Sequence, residues 1–373
     1  MLKKIKYNLA LVVVLFQTLG LAAQTAENIS PYSRYGIGEI RYTGLTPTLS
    51  MGGTGIGSIA HNMVNILNPA SYSELNLVTF AAGLHTDFYK FSTENLSSTN
   101  NYTNLSYLNL AFPLRKDTTW GLSFGLLPFS TVGYNISTTD SISGVDLVSR
   151  SYQGSGGFNR VYIGTGFKIG KRISFGTNLS YIFGNIDKVR RLEFAEINTI
   201  NTQITNNISI SDINFNAGLQ LKLIAKEKES LVLGLTADLP REMFFLSKGM
   251  SATRNFVALR YADNGTIIDT AFAQLNHSGR ITLPLSLGAG FMYNKHYVWQ
   301  ESDLLNFGVD FSMQDWSTYE SFGLSDSLSN SYRISAGAQY LPDVSMQASY
   351  LERVLYRFGI SYHQTYLEIN ETA

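Results

Sequence analysis

Alternation of apolar with small or polar residues constrains this chain more than any motif in it. Ile173, Phe175, Thr177, Leu179, Tyr181 and Phe183 share one parity, and Ser174, Gly176, Asn178, Ser180 and Gly184 hold the other. The period returns at Leu305, Phe307, Val309, Phe311 and Met313 against Asn306, Gly308, Asp310, Ser312 and Gln314. A period of two belongs to a strand, because successive side chains point to opposite faces. Strands of about ten residues with one greasy face are what a transmembrane β-barrel needs. In lipid only helices and closed barrels satisfy the backbone. Beyond the first residues no stretch reaches the ~18 apolar residues of a membrane helix. The expected fold is therefore all-β, an antiparallel transmembrane barrel.

Composition fits a surface in lipid. Charged residues make up 15%, below the usual quarter of a soluble domain. Aromatics reach 13%, with 22 Tyr and 22 Phe, which suits a lipid face and its two interfaces. The 28 basic and 28 acidic residues cancel, so nothing draws the chain to nucleic acid. With no cysteine, disulfides and thiolate metal sites are excluded. Residues 1–23 have the form of a secretory signal: Lys3, Lys4 and Lys6, then apolar Leu9 to Leu21, then Ala22-Ala23. Export through it implies the outer membrane of a Gram-negative bacterium.

Residues 24–76 alternate weakly and are dense in turn formers, with Gly52, Gly53, Gly55 and Gly57 and then Asn68, Pro69 and Ala70. An irregular segment with a short helix near 59–67 is expected. From Leu77 the strand pattern takes over, over roughly 77–91, 102–116, 119–134, 147–170, 172–194, 207–225, 230–247, 252–273, 280–295, 300–317, 330–342 and 353–369, about twelve strands. Polar loops are expected near 92–101, 135–146, 195–206 and 318–329. On several strands the second face is legible. Gly121, Ser123 and Gly125 oppose Trp120, Leu122 and Phe124; Asn216, Gly218, Gln220 and Lys222 oppose Phe215, Ala217 and Leu219. A basic side chain in lipid costs about 2–4 kcal/mol at the midplane, so Lys222, Asp310 and Arg333 belong to the lumen. A soluble β-sandwich also alternates, but its strands are shorter and its second face carries more charge.

Catalytic signatures are missing. The Gly52–Gly57 run has neither dinucleotide-binding nor P-loop spacing. None of His61, His85, His277, His296 and His363 stands in a zinc-binding pattern. No Gly-x-Ser-x-Gly elbow occurs. No enzyme activity, cofactor or metal is expected. Lys188, Arg190 and Arg191 would suit lipopolysaccharide phosphates at the rim, although Asp187 and Glu193 beside them favour a solvated, self-neutralised loop.

Ser50-Met51-Gly52-Gly53-Thr54-Gly55-Ile56-Gly57, then Asn68-Pro69-Ala70-Ser71, then a first strand from Leu77, resembles the FadL-like family of long-chain fatty acid transporters. Ser30-Pro31-Tyr32-Ser33-Arg34-Tyr35-Gly36 looks like a divergent branch found in Bacteroidetes. The resemblance implies a barrel of about fourteen strands around an N-terminal hatch over 24–76. The hatch carries the Asn-Pro-Ala motif and the Gly-rich run, and hydrophobic cargo leaves through a lateral opening in the wall. It implies an outer-membrane channel for small hydrophobic compounds such as long-chain fatty acids, by hatch-gated passive diffusion. The alternative is an accessory barrel in an outer-membrane secretion or assembly complex, a role known for Bacteroidetes relatives. The partners implied are the bilayer with its lipopolysaccharide and a hydrophobic small molecule, or the other members of such a complex. The sequence stops at Ile369-Asn370-Glu371-Thr372-Ala373 rather than at a terminal aromatic strand, so the barrel over 77–373 is expected to lack its last strands, the alternative being a smaller natural barrel that closes without them.

Overall fold

A computed structural model describes residues 30–92, 97–115, 119–142, 145–196, 199–239, 249–296, 303–325, 328–343, 345 and 347–367. The basic and apolar N-terminal run lies outside these residues. The strands are β1 Glu39–Ile40, β2 Thr79–Ser92, β3 Ser97–Pro113, β4 Trp120–Ile142, β5 Val145–Ile169, β6 Ile173–Phe194, β7 Asn201–Ala225 and β8 Glu229–Leu239. They continue as β9 Met250–Tyr261, β10 Ile267–Thr282, β11 Ser286–His296, β12 Leu304–Gln314, β13 Glu320–Ser321, β14 Leu324–Ser325, β15 Ser331–Leu341 and β16 Tyr356–Gln364. All belong to one 16-stranded antiparallel sheet, whose main path runs β2-β3-β4-β5-β6-β7-β8-β11-β12-β15-β16.

The side branch of this path shows how the wall is built. One half of β7 pairs with β8, from Phe215↔Leu239 to Ala225↔Ser230. The other half pairs with β9, from Asn201↔Tyr261 to Ile210↔Ala252. β8 and β9 therefore follow one another along β7. β11 lines up on β8 and β10 on β9, so they are likewise two lengths of one stave. Among the described residues both staves change strand at the same height, β8 giving way to β9 and β10 to β11 at 283–285.

The alternation seen in the sequence is the lipid-facing alternation. Along β6 the even residues from Ser174 to Ile182 are buried, while Ile173, Phe175, Leu179 and Tyr181 stand exposed. Phe124, Ile163, Phe291, Phe307, Val309, Phe311, Ile334, Phe358 and Ile360 continue the apolar belt on other strands. Trp120 stacks on Phe167, and Tyr181 on Phe183, at 5.4 and 5.8 Å between ring centroids. Past Phe183 the outward residues of β6 become Asn185 and Asp187. The strands thus run on above the bilayer. At about 3.3 Å per residue, a strand as long as β6 is twice what the hydrocarbon core needs.

That extension corrects several expectations. Segments 135–146 and 195–206 belong largely to β4, β5 and β7, and 92–101 to β2 and β3. Ser, Thr and Asn there continue a ladder in water, where no apolar face is needed; Thr also suits an extended backbone. The expected strand 252–273 is two, divided at Asp263-Asn264-Gly265, where Gly265 has φ +82°. The segment 230–247 ends at Leu239 within the described residues, and 318–329 contains the short hairpin β13–β14. From residue 77 on, about twelve expected strands become fifteen among the described residues, and β1 adds one in the N-terminal segment. No helix forms over 59–67; one-turn pieces lie instead at Thr46–Leu49 and, as a 3₁₀ turn, at Pro69–Glu74. Asn65 explains this. Its amide donates to the carbonyls of Gly55 and Ser58 and accepts from Leu67 N–H. Such local bonds compete with a helix.

Two apolar clusters fill the interior. One lies toward the water-exposed far end and includes Ile37, Val132, Phe158, Ile182, Ile186, Ile210, Trp316, Tyr319 and Tyr366. The other lies toward the turn end, marked by Gly170–Arg172 and Lys226–Lys228, and includes Leu45, Val64, Ile66, Tyr72, Leu75, Leu127 and Tyr162.

Candidate functional site: a seated N-terminal segment and the cavity above it

Residues 30–76 lie against the inner face of the wall and are held differently along their length. At the far end Ser30 caps the turn Pro31–Arg34. Glu39 and Ile40 form β1, paired with Thr131 and Ser130 of β4. Lys188 Nζ donates to the carbonyls of Arg34 and Gly36 at 2.9 and 3.2 Å. Lys188 therefore points inward, away from any lipopolysaccharide at the rim. Tyr366 donates its hydroxyl to Gly38 O at 2.5 Å and stacks on Trp316 at 4.2 Å.

Toward the turn end the segment rests on glycine. Gly121, Gly166, Gly176 and Gly218 are successive register partners across β4–β7. Gly234 pairs with Gly290, and Gly308, Gly337 and Gly359 pair in turn across β12, β15 and β16. A Cβ on Gly176 would meet the backbone of Pro69 and Ala70 at 2.4–2.5 Å, and one on Gly337 would meet Met51 O at 2.3 Å. A belt without side chains thus lets the segment's backbone approach the wall backbone. Gly52 is the counterpart in the segment. Its φ is +68°, and a Cβ there would strike the Ile360 backbone at 2.7 Å, so conformation and space both demand glycine.

Each residue singled out in the sequence has a defined place. Asn68 caps the Pro69–Glu74 turn by accepting from Ala70 N–H at 3.1 Å. Its amide donates to Ile56 O at 2.9 Å and to Leu219 O of the wall at 3.2 Å. Pro69 supplies the first residue of the turn, where its missing N–H costs nothing, and Ala70 is fully buried. Gly55 N–H donates to Asp310 Oδ2 at 2.6 Å and Ile56 N–H to the same oxygen at 2.8 Å. Gly57 packs against backbone atoms of β8 and β11. Arg333 donates from Nη2 to Gly52 O at 3.1 Å, and its guanidinium lies 4.1 Å from the Tyr42 ring centroid. The Tyr42 hydroxyl donates to Gly53 O. Burial pushes the Tyr42 phenol up, against the pull of Arg333. Lys222 reaches Glu74 at 2.8 Å. Lys222, Asp310 and Arg333 all face the interior, and all three hold the N-terminal segment.

Sequence reasoning missed the second half of this set. Glu74 also binds Lys168 at 2.9 Å and is almost fully buried. Burial alone would raise its carboxyl, but Lys222 and Lys168 together hold it below the ordinary value. The glycine belt was visible only as scattered inner-face glycines, because its register needs the strand pairing.

Between the segment and the wall lies a cavity of about 1180 Å³. Tyr42, Leu127, Phe129, Arg160, Asp238 and Met313 are among its lining residues. Arg160 donates from Nη2 to Thr43 Oγ1 at 3.1 Å, while its buried Nε has no hydrogen-bond partner among the described residues. Asp238 accepts from Asn216 at 2.8 Å. Among the described residues no group of metal-binding side chains is found.

An apolar outer belt, an antiparallel wall and a segment seated against its inner face define a β-barrel fold of the membrane-spanning kind. Three solved structures share the fold. The CymD monoaromatic hydrocarbon channel is 14% identical, with 87% of this chain and 85% of that one covered and a TM-score of 0.51. The toluene transporter TbuX of Ralstonia pickettii is 12% identical, with 87% of each chain covered and a TM-score of 0.51. The toluene transporter TodX of Pseudomonas putida is 15% identical, with 92% and 88% covered and a TM-score of 0.50. The family model that matches is BamG, over residues 1–373, and the chain belongs to that family. No curated protein matches.

Proposed function

We propose that this protein is an outer-membrane channel that takes small hydrophobic or amphipathic compounds into the cavity beside Tyr42 and Phe129. The cavity itself carries the reading, since it is larger than most ligand pockets and sets aromatic and aliphatic walls beside charged groups such as Arg41, Arg160 and Asp238, as an amphipathic ligand needs. The hydrocarbon channels that share its fold support it. Each methylene leaving water for such a site gains about 0.8 kcal/mol. Among amphiphiles, a fatty acid carboxylate suits Arg160, whose Nε is free and buried. Release sideways into lipid is expected beside 211–214 of β7 and 283–285, where among the described residues neither β8 nor β9 pairs with β7 and β10 gives way to β11. Residues 51–76 act as the gate in this reading.

Calorimetric titration of the purified full chain with oleate, toluene and maltose tests it. Oleate and toluene should bind and maltose should not. Leu127→Trp, which fills the cavity, should weaken both about tenfold, or ~1.4 kcal/mol. Arg160→Met should weaken oleate alone. Equal heats for maltose and oleate would end the proposal.

A second reading, an accessory barrel in an outer-membrane assembly, is favoured by one observation. The far end is filled by a dry cluster in which Val132, Ile182 and Trp316 have no exposure, as suits a scaffold better than a conduit. Stoichiometric companion proteins after extraction in mild detergent would support it, and a ligand-bearing monomer would count against it.

A further inference from the structure

A second hollow, of about 500 Å³, lies on the outside of the wall and is lined almost wholly by apolar groups. It comes from a local run of small residues in the outward-facing grid. In one row Thr177, Ala217, Ala237, Leu287 and Met313 are successive register partners on β6, β7, β8, β11 and β12. In the next row Phe175, Leu219, Leu235, Ala289 and Phe311 are partners in the same way. Opposed side chains on one face sit about 5 Å apart, so Ala217, Ala237 and Ala289 leave a contiguous depression. Phe175, Leu235, Leu287, Phe311 and Met313 rise around it, each 39–46% exposed. The backing is thin as well. Inward-facing Gly218 and Gly288 line the hollow too, and behind them stand Asn68, Pro69 and Ile56 of the seated segment.

We infer that this hollow is a binding site for one acyl chain of a membrane lipid. Its position decides the occupant. It opens within the apolar belt, continuous with the surface that lipid already covers, and it offers a head group nothing to bind. It is an open depression whose floor is alanine and glycine, so a chain lying in it is flanked by the rim of Phe175, Leu235, Leu287, Phe311 and Met313. A polypeptide strand would need backbone partners there, and β7, β8, β11 and β12 are already paired on both edges at this height. Thr236 and Met313 line both this hollow and the inner cavity, but the assignment of an acyl chain does not rest on what that cavity carries.

The full chain, extracted and exchanged into dodecyl maltoside, is to be examined by native mass spectrometry with lipid identification. A single-lipid adduct is expected to survive the exchange. Ala237→Phe with Ala289→Phe, filling the hollow, should abolish it, and Ala217→Leu should reduce it. Val161→Phe, on the lipid face of β5, should leave it intact. The heat-dependent gel shift of a folded barrel confirms each variant's fold, and Ala217→Leu keeps the test open should the double variant fail to fold. No adduct in the wild-type protein, or an equal adduct in the filled variants, overturns the inference. So does loss of a bound polypeptide rather than a lipid on filling.

Discussion

The two ends of the seated segment differ in how they meet the wall. Residues 30–40, at the far end, lean on one apolar cluster. Ile37 lies in it with Val132, Phe158, Ile182 and Trp316, and the polar additions are β1, the bonds of Ser30 and Ser33 with Gly133, and those from Lys188 and Tyr366. Residues 51–76, at the turn end, add to the buried Val64, Ile66, Tyr72 and Leu75 a set of charged and amide contacts made possible by glycine. Asn68, Asp310, Arg333 and the Glu74 ion triad meet the wall across a belt with no Cβ. The environments explain the division. Outside the far half the strands stand in water, so an apolar core within is the ordinary soluble arrangement. Outside the turn half the wall is greasy, so polar groups turn inward, where they need partners. An apolar seal resists water whatever the pH. A polar seal is directional and responds to charge.

The largest expected effect is at the apolar end. Trp316→Ala removes a fully buried side chain that stacks on Tyr366 and should cost about 3–5 kcal/mol. Hydrogen exchange should show lost protection over 30–40 and at 366, with protection over 68–74 kept. Equal loss at both ends would mean that the two seals are a single cooperative unit.

The polar end is broken through Glu74. Glu74→Gln leaves Lys168 and Lys222 without their shared carboxylate. The lysine side chains keep 16% and 18% exposure, so the cost should fall below the 3–5 kcal/mol of a fully buried pair, at about 2 kcal/mol. The sign with pH follows from the depressed carboxyl. A carboxylate held below its ordinary value adds stability at higher pH, and that share is lost as pH falls through the lower folded value. Urea midpoints should therefore drop in acid for the wild-type chain and change less for Glu74→Gln. An identical acid slope in both would remove Glu74 from the seal.

The same contrast explains what was legible in the sequence. On β6 the alternation from Ile173 to Phe183 is written by lipid, so fold, membrane class and the inward turn of Lys222, Asp310 and Arg333 could be read directly. Beyond Phe183, Asn185 and Asp187 continue the strand in water, where outward polar residues erase the signal. The β9–β10 hairpin is different. Its Asn264-Gly265 turn is a standard hairpin signal, obscured in the pattern by the apolar residues that continue on both sides. The glycine belt and the pairing of Glu74 with Lys168 and Lys222 join residues far apart in the chain. No local pattern records them.

The smallest effect sharpens the comparison most. Asn68 uses one side chain both to cap its own turn and to bind the segment to the wall. Asn68→Ala deletes both roles, leaving Ile56 O with Gln220 Nε2 as its side-chain donor and Leu219 O without the Asn68 amide, which should cost about 1–2 kcal/mol. Asn68→Asp keeps the acceptor for Ala70 N–H and loses the donor. If capping dominates, Asp should restore most of the loss in the urea midpoint. If the bond to the wall dominates, Asp should be worse than Ala, because it sets a carboxylate against the carbonyls of Ile56 and Leu219. The second outcome is expected, since the amide lies within 2.9 Å of Ile56 O and the site is wholly buried. The polar seal would then rest on contact with the wall and not on the local turn.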